Sequence, residues 1–197
     1  MKENIHPDFE RFVSRQSKEE LLGQKGVVLW MYGLSGSGKS TIATQVEKSL
    51  RAQNRLTVVL DGDNLRSGLN SDLGFTDEDR NENVRRTAEV AKIFANQGLI
   101  TIVSVITPLR RFRDLARNVI GADFREVYVH ANFETCAQRD PKGLYQKVAS
   151  GKVASFTGKD SGFEQPESCD LFLDTEQQSV DDSAQAVIQL IDAITQD

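Results

Sequence analysis

Residues 33–40 read Gly33-Leu-Ser-Gly-Ser-Gly-Lys39-Ser40, the spacing G-x-x-x-x-G-K-[ST]. Glycines placed this way let a chain turn tightly and bring successive backbone N–H groups against an anion with no Cβ in between. In such a loop the lysine reaches the β and γ oxygens of a nucleoside triphosphate, and the hydroxyl that follows it ligates Mg²⁺. With glycine at about 7% of ordinary sequences, a chance match in a chain of this length has odds of roughly one in a hundred. The implied chemistry is ATP bound with Mg²⁺ by Gly33, Leu34, Ser35, Gly36, Ser37, Gly38, Lys39, Ser40 and Thr41, with Ser40 on the metal and Lys39 on the migrating phosphoryl.

Such a loop must sit between a strand and a helix. Val27-Val-Leu-Trp-Met-Tyr32 is an unbroken apolar run, as expected of a parallel strand buried on both faces. After the loop, Ile42, Val46 and Leu50 recur at intervals of four, which predicts a helix over 40–52 whose N-terminus adds partial positive charge to the anion site. The alternation then continues, with strands at 56–60, 99–106, 125–130 and 171–173 and helices at 82–97, 109–119, 133–139 and 179–194. It predicts an α/β fold, a doubly wound parallel five-stranded sheet with helices on both faces. Residues 1–25 read as an N-terminal arm, packed on the domain or on a second subunit, and 26–197 as the domain. Within that domain, 140–167 is long and glycine-rich with four lysines and no strand-like run, as in a lid that closes over nucleotide.

Ligands in open parallel sheets bind beyond the carboxyl ends of the strands. The strand at 56–60 runs into Asp61-Gly-Asp63-Asn64, so these carboxylates should face the phosphate loop. Two carboxylates there can hold Mg²⁺, directly or through water, and accept the proton of an attacking hydroxyl. Arg80, Asn83 and Arg86 follow at intervals of three near a helix start and can share a face. With Arg66 they offer planar guanidinium forks to a phosphate or sulfate. The other reading of these arginines is as surface partners of Asp77, Glu78, Asp79 and Glu82.

With 24 basic and 29 acidic residues the formal charge is −5, which argues against nonspecific nucleic-acid binding, so an anionic ligand must be held by local charge. Neither an apolar run of membrane-spanning length nor a secretory leader is visible, so no membrane partner is expected. Cys136 and Cys169 lack metal-ligand spacing and read as buried free thiols in a reducing cytosol. His6 and His130 form no cluster, and His130 reads as structural.

The phosphate loop, Asp61-Gly-Asp-Asn-Leu-Arg66-Ser-Gly-Leu-Asn70, Leu73-Gly-Phe75, Asp79-Arg80-Asn-Glu-Asn83-Val-Arg-Arg86, Lys142-Gly-Leu-Tyr145 and Phe156-Thr-Gly158 together resemble the adenosine 5′-phosphosulfate kinase (adenylylsulfate kinase) family, from about Gly26 to Pro166. The resemblance implies a P-loop kinase fold similar to nucleoside monophosphate kinases. It implies transfer of the γ-phosphoryl of MgATP to the 3′-hydroxyl of adenosine 5′-phosphosulfate in sulfate assimilation, by a cytoplasmic homodimer. It gives Asp61 and Asp63 the base and metal roles. Asp63 would also contact the acceptor, and Arg66, Arg80 and Asn83 would hold its phosphosulfate end, with Ile106 adding contacts. Phe75 and Phe156 would sandwich the acceptor's adenine, and Lys142 with Leu144 would close the lid. Where the family often carries Ser-Pro after the third strand, with a serine phosphorylated in some members, this chain has Thr107-Pro108, and direct transfer is expected. Rival readings are a kinase of the same fold acting on a sugar acid or nucleoside, which would not need the arginines, and a nucleotide-binding switch, which would not need paired aspartates.

Overall fold

The computed structural model describes residues 11–141, 143–149 and 162–195. Strands β1 (Val27–Tyr32), β2 (Thr57–Asp61), β3 (Ile100–Ser104), β4 (Phe124–His130) and β5 (Leu171–Asp174) form one parallel sheet in the order β2-β3-β1-β4-β5. Helices are α1 (Arg15–Leu22), α2 (Lys39–Ala52), α3 (Gly62–Arg66), α4 (Asp77–Ala95), α5 (Arg110–Ile120), α6 (Phe133–Arg139), α7 (Leu144–Ala149) and α8 (Val180–Thr195). All five expected strands are present, in the parallel, doubly wound arrangement that their alternation with helices requires.

Central strand β1 shows why. All six of its side chains are buried, and because successive residues face opposite ways, they divide between two cores. Val27, Leu29 and Met31 join Ile42, Val46 and Leu50 of α2 and Val187, Ile188 and Ile191 of α8. Val28, Trp30 and Tyr32 join Val84, Ala88 and Ala91 of α4 and Phe112 and Ala116 of α5 on the other face.

Three elements depart from the expectations. Helix α4 begins at Asp77 rather than Glu82, because Thr76 and Asp79 form a reciprocal capping box and the acidic first turn suits the positive helix end. Asp61-Gly-Asp-Asn continues as α3, a short helix capped by the Asp61 carboxylate, which accepts from Asp63 N at 3.1 Å. Inside the glycine-rich segment, α7 buries Tyr145 and Val148 against Ala131 and Cys136.

Part of the N-terminal arm packs on this chain's own sheet. The Arg15 guanidinium donates to both oxygens of Asp123 at 2.6 and 2.8 Å. Buried Gln24 donates to Gly98 O at 2.8 Å and to Leu56 O at 3.0 Å. Cys136 and Cys169 are free thiols, Cys136 fully buried and Cys169 partly so, and burial pushes both up from the ordinary thiol range. His130 Nδ1 lies 3.1 Å from Tyr128 Oη and its ring packs on Phe172, in keeping with a structural role.

One buried charged group ties three strand ends together. Arg113, 2% exposed, places Nε 3.2 Å from Glu126 on β4, stands 4.6 Å over the ring of Tyr32 on β1, and donates to the carbonyls of Thr107 and Pro108 beyond β3. Glu126 also pairs with the half-exposed Arg117, so removing Arg113 takes away the only fully buried cation of this pair and opens a void beside the carboxylate. Arg113→Met is expected to lower unfolding free energy by about 3 kcal/mol, with part of the loss recovered in Arg113→Met/Glu126→Gln. Urea unfolding checks this, and a single variant within about 1 kcal/mol of the parent would show that the pair does not hold the strands.

Candidate active site

A cavity of about 880 Å³ opens at the carboxyl ends of the strands. One side is the phosphate loop, joining β1 to α2. Its carbonyls are taken one after another by surrounding donors. Lys39 Nζ donates to Gly33 O at 2.9 Å and Leu34 O at 2.7 Å, Tyr145 Oη to Ser35 O at 2.7 Å, Arg139 Nη1 to Gly36 O at 3.4 Å, and Thr175 Oγ1 to Ser37 O at 2.9 Å. With the carbonyls so engaged and the first N–H groups of α2 unpaired within the helix, N–H groups are what the loop presents to an anion. Gly33 is obligatory for packing, since a Cβ there would lie 2.2 Å from Val129 O.

Ser40, on the first turn of α2, donates through Oγ to Asp61 Oδ2 at 2.6 Å, and Ser104 Oγ lies 3.2 Å from the same hydroxyl. This cluster of hydroxyl and carboxylate oxygens suits Mg²⁺, a hard cation that takes one or two protein oxygens and completes its shell with water and substrate phosphates. Among the described residues no group of three or more His, Cys, Asp or Glu side chains is arranged to hold a metal. Asp63, exposed one turn along, lines the same cavity.

The opposite wall is built by α3, α4 and the loop between them. Arg66 donates through Nη1 to Leu73 O at 3.1 Å and Gly74 O at 2.8 Å, and its Cζ lies 4.3 Å from the Phe75 ring centroid. Arg80 Nε donates to Phe75 O at 3.0 Å. The two guanidinium groups therefore shape the turn that holds Phe75, an exposed residue of the cavity lining with Arg66 against its ring. Burial, then the neighbouring charge of Arg80, pushes Arg66 below the ordinary arginine value, and burial does the same to Arg80. Both remain cationic at neutral pH, so an anion bound between them relieves their repulsion. Asn83, Val84, Ile106, Pro108 and Phe112 complete this wall, and Leu144 with Pro141 faces it. Thr107, also lining the cavity, has φ of 39°, and its Oγ1 accepts from Trp30 Nε1 at 3.0 Å.

Of the residues singled out from sequence, Ser35, Gly36, Gly38, Lys39, Ser40, Thr41, Asp61, Asp63, Arg66, Phe75, Arg80, Asn83, Ile106 and Leu144 meet in this one cavity. Gly33 and Ser37 are buried within the loop and do not line the cavity, and Leu34 packs with Ala131, Cys136 and Tyr145. Arg86 faces away, bonded to Asp72 at 2.7 and 2.9 Å and to Glu82 at 2.9 Å, so for it the surface-partner reading holds. Lys142 and Phe156 lie outside the described residues. Sequence reading missed Ser104, Arg139, Thr175, Gln178 and Ser183 in the lining. Thr175 follows β5, so the rule that ligands gather beyond strand ends would have found it. Ser183 is fully buried, and its Oγ has no hydrogen-bond partner among the described residues.

Known proteins resemble this arrangement over most of the chain. The family model for adenylylsulphate kinase matches residues 25–174. An adenylyl-sulfate kinase of Phocaeicola vulgatus is 50% identical over 190 residues, covering 96% of this chain and 93% of that protein. One of Clostridium acetobutylicum is 53% identical over 173 residues, covering 86% of each. The solved structure of the Mycobacterium tuberculosis APS kinase CysC in complex with AMPPNP and APS superposes with a TM-score of 0.83 at 46% identity, over 86% of this chain and 99% of that one. A family match across most of the chain, half-identical relatives and a shared three-dimensional form lead to one conclusion: this chain belongs to the adenylylsulphate kinase family.

Proposed function

We propose that this chain transfers the γ-phosphoryl of ATP to the 3′-hydroxyl of adenosine 5′-phosphosulfate. The observation that carries the reading is one cavity with a phosphate loop on one side, two half-buried arginines and an exposed phenylalanine on the other, and Asp61 and Asp63 near both. The relative solved with AMPPNP and APS supports this choice of donor and acceptor.

In this reading the loop N–H groups and Lys39 hold the phosphates of ATP, and Lys39 exchanges its carbonyl partners for phosphate oxygens. The base and ribose of ATP would lie along Arg139, Thr175 and Gln178, with Ser183 buried behind them. Ser40 and Asp61 would hold Mg²⁺, which would neutralise charge on the transferring group. Arg66, Arg80 and Asn83 bind the anionic end of the acceptor, and Phe75 stacks on its base. Lys142, Leu144 and Phe156 remain the expected closing contacts. Asp63, exposed in the cavity, would accept the proton of the acceptor hydroxyl while Asp61 is engaged with Ser40. A positioned hydroxyl attacking a clamped phosphoryl needs no covalent intermediate. A cytoplasmic homodimer is what the family resemblance implies, and the free thiols suit a reducing compartment.

ADP release measured with and without adenosine 5′-phosphosulfate is the direct test. Turnover is expected to require that acceptor, and Lys39→Ala to lower it roughly 10²-fold or more by removing a preorganised charge. Equal turnover with a sugar acid or nucleoside would point instead to a different small-molecule kinase.

Acceptor binding is expected to weaken by about 1–3 kcal/mol on truncation of the stacking ring in Phe75→Ala, and to weaken in Arg80→Ala, with ATP affinity little changed in either. Calorimetry on the two variants checks this. Unchanged acceptor affinity in both would put the acceptor elsewhere.

Thr107→Ala is expected to retain phosphoryl transfer. The Thr107 hydroxyl oxygen is engaged by Trp30, and among the described residues no carboxylate or imidazole is hydrogen-bonded to it to act as its base. Rapid quench with labelled ATP would overturn direct transfer by finding kinetically competent label on Thr107 in the parent and no transfer in the variant.

A further inference from the structure

Asn83 forms part of the acceptor wall, and its side chain is held from behind. Asn70 Nδ2 donates to Asn83 Oδ1 at 2.9 Å in a buried contact. Asn70 is fully buried and does not line the cavity, so it offers nothing to a ligand directly. Its backbone is fixed at both ends: its N–H donates to Leu65 O at 2.8 Å and its carbonyl accepts from Leu73 N at 3.1 Å. Its own Oδ1 has no partner among the described residues, a cost that an apolar side chain of similar size would not carry. The hydrogen bond to Asn83 is what the amide contributes in return.

A primary amide has one accepting end and one donating end, so a neighbour that occupies the first decides what the second presents. With Oδ1 held by Asn70, the end of the Asn83 amide left for a ligand in the cavity it lines is Nδ2 with its N–H donors. Beside Arg66 and Arg80, that orientation adds donors for an anion, whereas the reverse would put a carbonyl oxygen against it. We propose that Asn70 is a positioning residue that fixes the amide orientation of Asn83, so that the anionic end of the acceptor meets N–H groups. This inference rests on the acceptor reading given above.

The test is steady-state kinetics on the parent, Asn70→Ala, Asn83→Ala and the double variant, with ATP and adenosine 5′-phosphosulfate varied separately and thermal melting recorded alongside. Asn70→Ala is expected to raise the acceptor KM about tenfold, the scale of one hydrogen bond to a charged group, with the ATP KM changed less than about twofold. In the Asn83→Ala background the same substitution is expected to leave the acceptor KM where it was, because the two residues act as one unit. Asn70→Asp, which can only accept, is expected to reverse the Asn83 amide and raise the acceptor KM further than alanine does. If Asn70→Ala melts below the assay temperature, Asn70→Ser is measured in its place with the same expectations. Parent-like acceptor KM in the Asn70 variants overturns the proposal, as does an equal rise with and without Asn83. A parent with no acceptor-dependent turnover overturns the acceptor reading and this inference together, whereas an active parent with unmoved variants overturns this inference alone.

Discussion

The carbonyl oxygen of Val129 leaves room at position 33 for a hydrogen and nothing larger, since a Cβ there would come within 2.2 Å of it. Gly33 N also donates to Ile106 O at 3.3 Å, so the first residue of the phosphate loop is held by the segments that leave β4 and β3, on either side of β1. The other features of the nucleotide side follow from that fixture. The loop can turn its carbonyls outward only because it starts from a fixed point. Tyr145, Arg139 and Thr175 then hold it from outside, through elements far apart in sequence. Steric exclusion at one glycine thus becomes an electrostatic property of the whole loop.

The acceptor side is built differently. Its rigidity comes from side chains that bond to backbone, with Arg66 on Leu73 and Gly74 and Arg80 on Phe75. In the proposed reading these arginines serve twice, since the group that shapes the Phe75 turn would also supply charge to the ligand. The arrangement keeps two cations half-buried near each other, which is unfavourable in an empty site and favourable in a filled one. Nucleotide and acceptor walls are joined through β2, which ends in Asp61, so that carboxylate is carried by the sheet itself and Asp63 by the short helix that follows it.

Much of this could be read from the chain alone, and the limits have physical causes. The apolar run 27–32 announced a strand buried on both faces because only such a strand can dispense with alternation. The loop and the Asp61–Asp63 turn were legible because backbone geometry constrains them locally. The start of α4 was missed because the capping box of Thr76 with Asp79 is masked by acidic neighbours that read as a solvated run. Arg86 was grouped with Arg80 and Asn83, yet each step of three residues falls about 60° short of a full turn. Two steps carry it round to Asp72. The residues from Arg139 to Ser183 that complete the nucleotide side form no motif, because the sheet order rather than the sequence brings β5 beside the loop.

Thr107 is a β-branched residue at a φ of 39°, a backbone conformation such residues rarely adopt and one that costs on the order of 1–3 kcal/mol. It is kept there by the Trp30 indole on its side chain and the Arg113 guanidinium on its carbonyl, both rooted in the core. The hydrophobic interior therefore works as a spring under tension, bending one residue at the rim of the cavity and with it the carbonyl of Ile106 that anchors Gly33. A glycine at 107 would let that spring relax. The relief would be offset by the loss of the Thr107 hydroxyl, which leaves the buried Trp30 N–H unpaired, and the two halves of the cavity would lose the stiff connection through which they share one frame of reference.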